Sequence, residues 1–564
     1  MLANFLFFNE PEIREKFTLE ETEQERYTST NNYAIKEGKV INKSVNSDKN
    51  NTEKNDRKIS IELVENLEYL KKKYRIPLNS DILLREFTIT IGNNDAAAFI
   101  IFYDGMTDRK LIDDNILQPL MLLSNLDIKY DSKNIATCIK NRLLPHNQIT
   151  EVSEFDKIIS DINFGSCALF VHGLSTAFLA DVKGFEHRSV SKPTTELIIR
   201  GPQEGFTETL RVNTALIRKR LKDEDLIVEN LEIGERSKTP CSLMYVKDIA
   251  NDSLIEEIKK RLTSIKIDYL NDSGELEQFI EDDTFLPAPQ MIATERPDRV
   301  AMMLSEGRAA IVVNGSPFVL VVPITFFDLI HSTEDSFNRF PAANLFRFFR
   351  LLGIFTALLL PGFYIAVTNF HHEMIPTSLL LAVEASREKV PFPSIIEILL
   401  MEASFELIRE AGIRIPGPIG PTLGIIGALI LGQAAVSANI VSPILIIVVS
   451  VTGLGSFAMP DFSLGIQFRI LRFVYILLAA ASGFLGITTG IFIYVVYLCS
   501  AKSFGVPFLA PYGPKISGGY KYEIYEAPLW KQEERPDYLN TKDDVKQPKI
   551  SRGWFNTFKN KKKQ

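Results

Sequence analysis

Hydrophobic and polar positions follow different patterns in the two halves of this 564-residue chain. From about residue 59 to residue 340, short apolar runs alternate with segments whose apolar residues recur at helical spacing. The stretch ISIELVENLEYLKKKY predicts a helix, whereas EFTITI, AAAFIIFYDG and CALFVHG predict strands that end in turn residues. Such alternation is typical of a soluble α/β region.

A second unit of the same kind begins near Glu229. It follows the polar-faced helix predicted by TETLRVNTALIRKRLKDEDL and includes CSLMYV, which reads as a strand. SLIEEIKKRLTSI predicts a further helix, and AAIVVNGSPFVLVVP predicts two strands joined by a hairpin turn at Asn314-Gly315. We therefore predict two small α/β modules in series, over residues 59–225 and 226–345.

The pattern changes after Arg350, where three long runs carry no charged residue, namely 351–372, 415–460 and 473–501. About 20 apolar residues suffice for one helical crossing of a bilayer, so the central run has room for two spans hinged near Ser442-Pro443. Buried helices of a large soluble protein account poorly for three such runs so close together. We predict a polytopic α-helical membrane domain over residues 346–510.

The two ends of the chain are polar. Residues 1–58 include a stretch rich in Asn, Lys, Ser and Asp that is typical of a flexible segment, and residues 511–564 form a polar, basic tail. Arg339, Arg347 and Arg350 precede the first apolar run, which places the modules on the cytoplasmic side of the membrane. The lysine-rich end indicates the same side for the tail, so the number of spans should be even.

The span count contains a conflict. Crossings of one, two and one for the three runs leave Arg469 and Arg472 on the outer side, against the positive-inside rule. The alternative is that one run crosses a different number of times, for instance the last one as a short hairpin through Gly483, Gly486 and Gly490. The sequence leaves both arrangements open.

Composition argues against several functional classes. The net charge is −7, and the four cysteines lack the spacing of a zinc cluster or a disulfide framework, so we expect reduced thiols. His371-His372 has no third ligand at metal spacing, and no phosphate-binding glycine loop or catalytic triad is visible. We predict no enzyme activity, no cofactor, no metal and no nucleic-acid partner.

An acidic segment, PFPSIIEILLMEASFELIREAGIRIPGPIGP, separates the first two apolar runs. On a helical projection Glu402, Glu406 and Glu410 cluster with Arg409, and apolar residues fill the opposite arc. This amphipathic helix either lies in the membrane interface with its charges in water or forms the wall of a cation path. Glu397 projects into the apolar arc, so it is either a gating acid inside the membrane or part of a helix end that reaches the interface.

Uncharged polar residues interrupt the central apolar run. Gln433 and Ser437 share one helical face, and Asn439 and Ser442 project to another. Polar groups at such depth either hold helices together or line a pore. With Glu397, these four residues are the pore and gating candidates.

Four segments carry a resemblance to a known family. They resemble the A subunit of GerA-type spore germination receptors, and they are FYDGMTDRKLIDDNILQPLM (102–121), RGPQEGFTETLRVNTALIRKRL (200–221), PQMIATERPDRVAMMLSEGRAAIVVNGSPFVLVVP (289–323) and PFPSIIEILLMEASFELIREAGIRIPGPIG (391–420). His172 and Asn314 depart from the pattern, since an acidic residue is more usual before each turn glycine.

This resemblance implies a multi-pass protein of the endospore inner membrane that works with a transporter-like B subunit and a lipoprotein C subunit. It further implies a homo-oligomer that forms a nutrient-gated ion channel. A non-conducting scaffold and a secondary transporter are the alternatives, although a transporter would typically show two similar membrane halves, and none is visible. The nutrient, the ion and the number of subunits are not encoded in any motif.

Overall fold

The computed structural model describes residues 58–91, 94–122, 149–182, 195–414, 430–514 and 525–547, together with a few single positions such as Leu19 and Gly427. Two α/β modules come first and a domain of apolar helices follows, so the α/β part of the predicted fold class is confirmed. The predicted flexible segment 1–58, apart from Leu19 and Lys58, lies outside the described residues, as does the lysine-rich end of the chain.

The first module is built on a five-stranded antiparallel sheet in the order β1-β2-β4-β5-β3. Its strands are β1 (Ile82–Ile91), β2 (Asn94–Tyr103), β3 (Ile149–Val152), β4 (Cys167–Val171) and β5 (Ala177–Ala180). Helices cover both faces of the sheet, and they are α1 (Leu63–Lys73), α2 (Arg109–Ile112), a π-helical turn (Asp113–Leu117), α3 (Gln118–Leu122) and α4 (Phe155–Ile162).

Covered faces explain why the inner strands β4 and β5 of this module are continuous apolar runs. Successive side chains of a strand point to opposite faces, so a strand that is buried on both sides is apolar throughout. Phe99 and Phe170 stack at 4.7 Å on the face that α1 and α4 cover. Ile100 and Leu169 point to the other face.

The second module repeats this strand order as β6-β7-β9-β10-β8. Its strands are β6 (Leu226–Ile233), β7 (Thr239–Val246), β8 (Ile292–Thr294), β9 (Ala309–Val313) and β10 (Val319–Val322). Its helices are α5 (Leu210–Arg220), α6 (Asp252–Ser264), α7 (Ser273–Ile280) and α8 (Pro297–Leu304). The helix α5 falls within the predicted first module, yet most of its buried apolar side chains pack with those of the second.

The two modules are tandem copies of one fold. Gly165 and Gly307 both have positive φ (92° and 97°), as do Gly173 and Gly315 (85° and 93°), and each pair is 142 positions apart (307 minus 165). The same offset relates α4 to α8, β4 to β9 and β5 to β10. These turns need a left-handed residue, a conformation that glycine adopts without the steric penalty of a Cβ atom.

The hairpin turn of each copy meets the start of the helix that opens its module. Gly173 N–H donates to Ile61 O at 3.2 Å, and Gly315 N–H donates to Glu208 O at 2.7 Å. Asn314 Oδ1 also accepts from Leu210 N at the N-terminus of α5. A neutral amide oxygen therefore caps this helix at a position where the resemblance leads one to expect an acid.

Reciprocal ion pairs join the two modules. Arg218 near the end of α5 donates to both carboxylate oxygens of Asp81 at 2.7 and 3.0 Å, and Arg75 just beyond α1 lies 2.6 Å from Asp225. Asp81 precedes β1 and Asp225 precedes β6, so each module contributes one cation and one acid. Arg218 and Asp81 are buried, whereas the second pair is partly exposed.

The remaining helices form an apolar domain. They are α9 (Phe326–Ile330), α10 (Thr333–Phe337), α11 (Phe340–Asn369), α12 (Thr377–Arg387), α13 (Ser394–Arg414), α14 (Pro443–Phe457), α15 (Phe462–Ser482) and α16 (Phe484–Ser500), with a 3-10 turn at His372–Met374. Residues 430–437, which carry Gln433 and Ser437, are also helical. Among the described helices, α11 and α15 have the length and apolar composition of a membrane span, and α14 and α16 are apolar but shorter.

The last apolar run is divided at Gly483, and its two helices fold back on each other, as in the hairpin that the sequence left open; the number of crossings stays a prediction. Gly483 separates α15 from α16 with φ +61°. A Cβ atom at Gly486 would meet Leu478 O at 2.0 Å, and one at Gly490 would meet Tyr475 Cε1 at 2.9 Å. Glycines therefore allow α16 to pack back against α15 at close range. The hinge predicted at Ser442-Pro443 is also present, since Ser442 is the N-cap residue of α14.

The chain returns to the second module after α16. Two short strands, β11 (Lys502–Ser503) and β12 (Val506–Pro507), lead to residues 525–547, which include 3-10 turns at Leu529–Lys531 and Asp537–Leu539. Phe504 joins the core of the second module, and Tyr538 and Leu539 are buried. This part of the predicted tail is therefore docked on the module, and we call residues 525–547 the C-terminal strap.

Candidate functional site

Two ion pairs join the acidic helix α13 to α15. Arg472 Nη1 donates to Glu402 Oε2 at 2.5 Å, and both side chains are at most 5% exposed. One turn away, Arg469 pairs with Glu406, whose side chain is 41% exposed. The acid that comes later along α13, Glu406, pairs with the arginine that comes earlier along α15, Arg469, so these two helices are antiparallel.

A third cation near these two ion pairs, Arg409, belongs to α13 itself. Arg409 donates to Ser456 Oγ at 2.7 Å, and its guanidinium lies 4.9 Å from the ring centroid of Phe457 at the end of α14. Arg409 thus links α13 to α14, whereas Glu410 is exposed. A cation over an aromatic face is stabilised by the ring quadrupole, which offsets part of the cost of burying the charge.

The helix α13 buries charged side chains while several of its apolar side chains point outward. Glu402 is 3% exposed, whereas Ile396, Leu400 and Leu407 are 46%, 45% and 71% exposed. The structure thus differs from the sequence interpretation in which Glu402 lies in water. The physical reason is the pairing partner: Arg472 lies far along the chain, and a helical projection of α13 alone contains no information about it.

Glu397 lies at the junction of α13 and α14 and is 1% exposed. Its Oε2 accepts from the backbone N–H of Ser442 at 3.0 Å, and its Oε1 lies 3.6 Å from Arg387 Nε. A carboxylate at a helix N-terminus interacts favourably with the unpaired backbone N–H groups and the helix dipole. Glu397 therefore has both a dipole and a cation to offset its burial.

The structure separates the polar candidates of the central run into two groups. Gln433, Ser437 and Asn439 are exposed on the single chain, and Ser437 donates its hydroxyl only to Gln433 O within the same helix. Asn439 adopts φ +55° in the turn that precedes α14. Ser442 is fully buried, and its Oγ accepts from Leu445 N. Ser442 is thus brought together with Glu397, and the other three face away from the chain.

A buried ionic cluster lies at the base of α11. Asp335 accepts from Arg347 Nε at 3.2 Å and from both terminal nitrogens of Arg350 at 2.8 and 3.0 Å. Arg347 also pairs with Glu526 of the C-terminal strap. Burial alone would raise the pKa of Asp335, but the hydrogen bond and charge of Arg350 together with the charge of Arg347 outweigh it and lower that pKa.

The strap is further attached to α11 through backbone groups. Asn344 Nδ2 donates to Glu526 O at 3.0 Å, and Glu526 N donates to Asn344 Oδ1 at 2.8 Å. A cleft of about 810 Å³ lies beside this contact, between the strap, α8 and the α9–α10 region, and Arg308 and Asp328 line it as a buried pair. The strap thus contacts both α11 and the second module.

Acidic groups also meet where the second module faces the apolar domain. Asp461 is the N-cap of α15, with Oδ1 accepting from Leu464 N at 2.9 Å. Glu277 on α7 lies close enough to interact with it, and burial together with the negative charges of Glu281 and Asp461 raises the pKa of Glu277 to about 7. A second contact crosses the same boundary, because Tyr497 OH donates to Asp283 Oδ2 at 2.9 Å.

The described residues contain no group of three or more His, Cys, Asp and Glu side chains placed to hold a metal ion. His371 forms a local contact instead: its Nδ1 lies 3.3 Å from Ala366 O, and its ring packs edge-on against Phe484.

Comparison with known proteins identifies the family. The profile of the Bacillus/Clostridium GerA spore germination proteins matches residues 68–538. This chain belongs to that family. It is 40% identical to spore germination protein KA of Bacillus subtilis (strain 168) over 88% of this chain and 92% of the relative. It is 42% identical to the uncharacterized membrane protein YfkQ of the same organism over 85% of this chain and 92% of that relative.

A solved relative of this GerA-family chain is the N-terminal domain of the A subunit of the Bacillus megaterium spore germinant receptor GerK3. The two are 34% identical, the match covers 48% of this chain and 97% of that domain, and the TM-score is 0.37. The family profile and the relative in Bacillus subtilis confirm, at the level of the family, the resemblance recognised from the four sequence segments.

Sequence reasoning missed two structural features of this family member. One observation in the sequence could have indicated the pairing of Arg472 with Glu402, namely the conflict of Arg469 and Arg472 with the positive-inside rule. Both arginines are paired with acids, and a paired arginine no longer acts as a free positive charge. No feature of the sequence indicates the pairing of Glu526 with Arg347, because the strap has the composition of an ordinary polar segment.

Proposed function

We propose that this chain is a subunit of a spore nutrient-germinant receptor and that copies of it assemble in the membrane into a nutrient-gated ion channel. In this proposal it works with a transporter-like B subunit and a lipoprotein C subunit. The two α/β modules lie on the cytoplasmic side of the spore inner membrane, and the apolar domain crosses it several times. Family membership and the two span-length helices support the membrane assignment.

The exposure of Gln433, Ser437 and Asn439 carries the channel proposal. These side chains lie on the outside of a single chain, in a domain whose outer surface is mostly apolar. Polar groups that face lipid are costly where part of their hydrogen-bonding capacity is unused, because hydrocarbon offers no hydrogen bonds. Neighbouring copies around a water-filled path would remove this cost, with Gln433 and Ser437 facing the path.

The ion pairs of α13 would hold the helices of such a channel in fixed positions. The pairs to Arg469 and Arg472 hold α13 against α15, and Glu397 holds the start of α14 through Ser442. The helix that carries Gln433 and Ser437 precedes this junction, so a movement at Glu397 would reach the pore face directly. Glu397 is therefore the proposed gating residue, and Glu402 and Glu406 are proposed to hold α13 against α15.

Ion efflux from spores tests the proposal. We expect Gln433→Leu and Ser437→Leu each to reduce nutrient-triggered ion efflux at unchanged receptor level, because a leucine removes a polar group from a hydrated path. Thr489→Leu is the matched control, since Thr489 is also an exposed polar residue of the apolar domain but lies on α16. Currents of the purified chain in planar bilayers should change in the same order.

Three outcomes would count against parts of this proposal. Normal efflux from correctly assembled Gln433→Leu and Ser437→Leu spores removes that face from the ion path. Silence in bilayers from folded, oligomeric protein, with normal germination in spores, favours a scaffold whose partners conduct. A Glu397→Gln variant with an unchanged nutrient dose response excludes Glu397 from gating.

A further inference from the structure

The segment of residues 195–202, which connects the two modules, presents two apolar side chains to the outside. Leu197 is 69% exposed and Ile199 is 94% exposed, and they alternate with the half-buried residues 196 and 198. Scattered exposed apolar residues are common on protein surfaces and need no explanation by themselves. This pair differs because the backbone that carries it is held in place.

Buried polar groups of the second module fix the segment at both ends. Arg296, 1% exposed, donates to Glu196 O at 3.2 Å and to Pro202 O at 2.9 Å. The Glu196 side chain accepts from Thr294 Oγ1 at 2.7 Å and from Arg299 Nη1 at 3.1 Å. Ordering a loop costs conformational entropy, and these contacts offset that cost while leaving Leu197 and Ile199 unpacked.

The segment lies at the level where the two long apolar helices begin. Gly201 approaches Phe337 so closely that a Cβ atom would come within 2.7 Å of its ring, and α11 starts three residues later at Phe340. Glu196 also interacts with the charge of Asp461, the N-cap of α15.

The surroundings of the segment have the chemistry of a membrane interface. Exposed aromatic residues continue along the first turns of α11, with Phe346 and Phe349 52% and 55% exposed. Arg200 follows Ile199 directly and is exposed. Apolar side chains next to aromatic rings and cations are the combination that binds the boundary between anionic headgroups and acyl chains.

We propose that Leu197 and Ile199 insert into the headgroup and acyl boundary of the bilayer, beside the first span, and that this contact sets the position of both modules against the membrane. The partner is an anionic lipid surface. The inference rests on the proposed membrane insertion of α11. Because the segment connects the modules, lipid contact there would also restrain their movement relative to α11.

Fluorescence quenching by brominated lipids tests this contact on the full-length chain. Tryptophan is placed at Ile199 in a background with Trp530→Phe and Trp554→Phe. The protein is reconstituted separately in phosphatidylglycerol bilayers and in phosphatidylcholine bilayers. We expect Ile199→Trp to lose most of its emission to lipids brominated near the headgroup end of the chain and less to lipids brominated near the bilayer centre. Arg200→Glu should reduce this quenching in phosphatidylglycerol and leave it unchanged in phosphatidylcholine.

Two reference positions make every outcome decisive. Phe355→Trp, on the exposed face of α11, reports membrane insertion, and Ile61→Trp, exposed on the first module, reports water. Quenching at position 355 without quenching at position 199 overturns the lipid contact and assigns the segment to solvent or to a protein partner. Absence of quenching at position 355 overturns the membrane insertion itself. Equal quenching at position 61 would show that the signal is not specific to the segment.

Discussion

Arg472 Nη1 lies 2.5 Å from Glu402 Oε2, in the middle of a helix long enough to span a membrane. Removing one partner of a buried ion pair leaves an uncompensated charge, which costs about 3–5 kcal/mol. We therefore expect Glu402→Gln and Arg472→Leu to lower the thermal stability of the purified chain strongly. The exchange Glu402→Arg with Arg472→Glu should recover part of the loss, because it restores the attraction.

Glu410 provides the matched control for this prediction. It is an acid on the same helix but is exposed, so Glu410→Gln should change stability by less than about 1 kcal/mol. Melting in detergent measures all four variants. If the exchanged double variant is no more stable than either single variant, the two side chains do not act as a pair.

The contact between the modules gives a second prediction. Arg218→Ala should destabilise the soluble part by about 3–5 kcal/mol, because Asp81 would stay buried without its cation. Arg218→Lys should recover only part of this, since a lysine cannot form the bidentate contact. Denaturant unfolding, together with protease cleavage between the modules, measures the effect.

The exposed pair of Arg236 and Asp268 is the control for Arg218. Its side chains are 83% and 65% exposed, so Arg236→Ala should cost less than about 1 kcal/mol. Equal stability of the Arg218→Ala and Arg236→Ala variants would show that the modules do not depend on the buried pair.

The sequence predicted those parts of the fold in which local pattern and burial agree. The strands β1, β2, β4 and β7 and the hairpin of β9 and β10 carry apolar runs, and α1, α5 and α6 carry helical spacing, so all were visible. The short edge strands β3 and β8 were missed, because three or four residues give too little periodicity to register.

Features that depend on distant partners were less accessible. The orientation of α13 depends on arginines that lie 63 and 70 positions further along the chain (469 minus 406 and 472 minus 402), and no pattern within α13 reveals an inward charged face. The tandem relation of the modules is visible in the spacing of turn glycines, but the sequences between them have diverged. Gln433 and Ser437 were found because polar residues are rare in apolar runs, yet their partners in an assembly are not determined by one chain.

The raised pKa of Glu277 predicts a dependence of stability on pH. Its folded-state pKa of about 7 exceeds the ordinary value of 4.5, so the protonated form is favoured in the folded chain. The resulting contribution, up to about 3 kcal/mol, is fully present below pH 4.5 and is lost as the pH rises through 7. Glu277→Gln should remove this loss, so that the variant is more stable than the parent chain at pH 8.

Glu256 serves as the reference for this measurement, because it is an exposed acid on the neighbouring helix α6. Melting temperatures of the parent chain, Glu277→Gln and Glu256→Gln are compared from pH 4.5 to pH 8. Parallel curves for the parent chain and Glu277→Gln would mean that Glu277 titrates at an ordinary pKa and that the charge of Asp461 has no effect on it.

The strap gives the last prediction. Glu526→Gln keeps the size of the side chain but removes the charge that faces buried Arg347, and a charged hydrogen bond contributes about 1.5–3 kcal/mol. We expect the strap to detach more readily from α11 and residues 525–547 to become sensitive to protease. If the strap couples the second module to α11, the nutrient concentration for half-maximal germination should also shift. Glu534→Gln, an exposed acid in the same strap, should leave both readouts unchanged. Protease sensitivity without any shift in the nutrient response would limit the strap to a structural role.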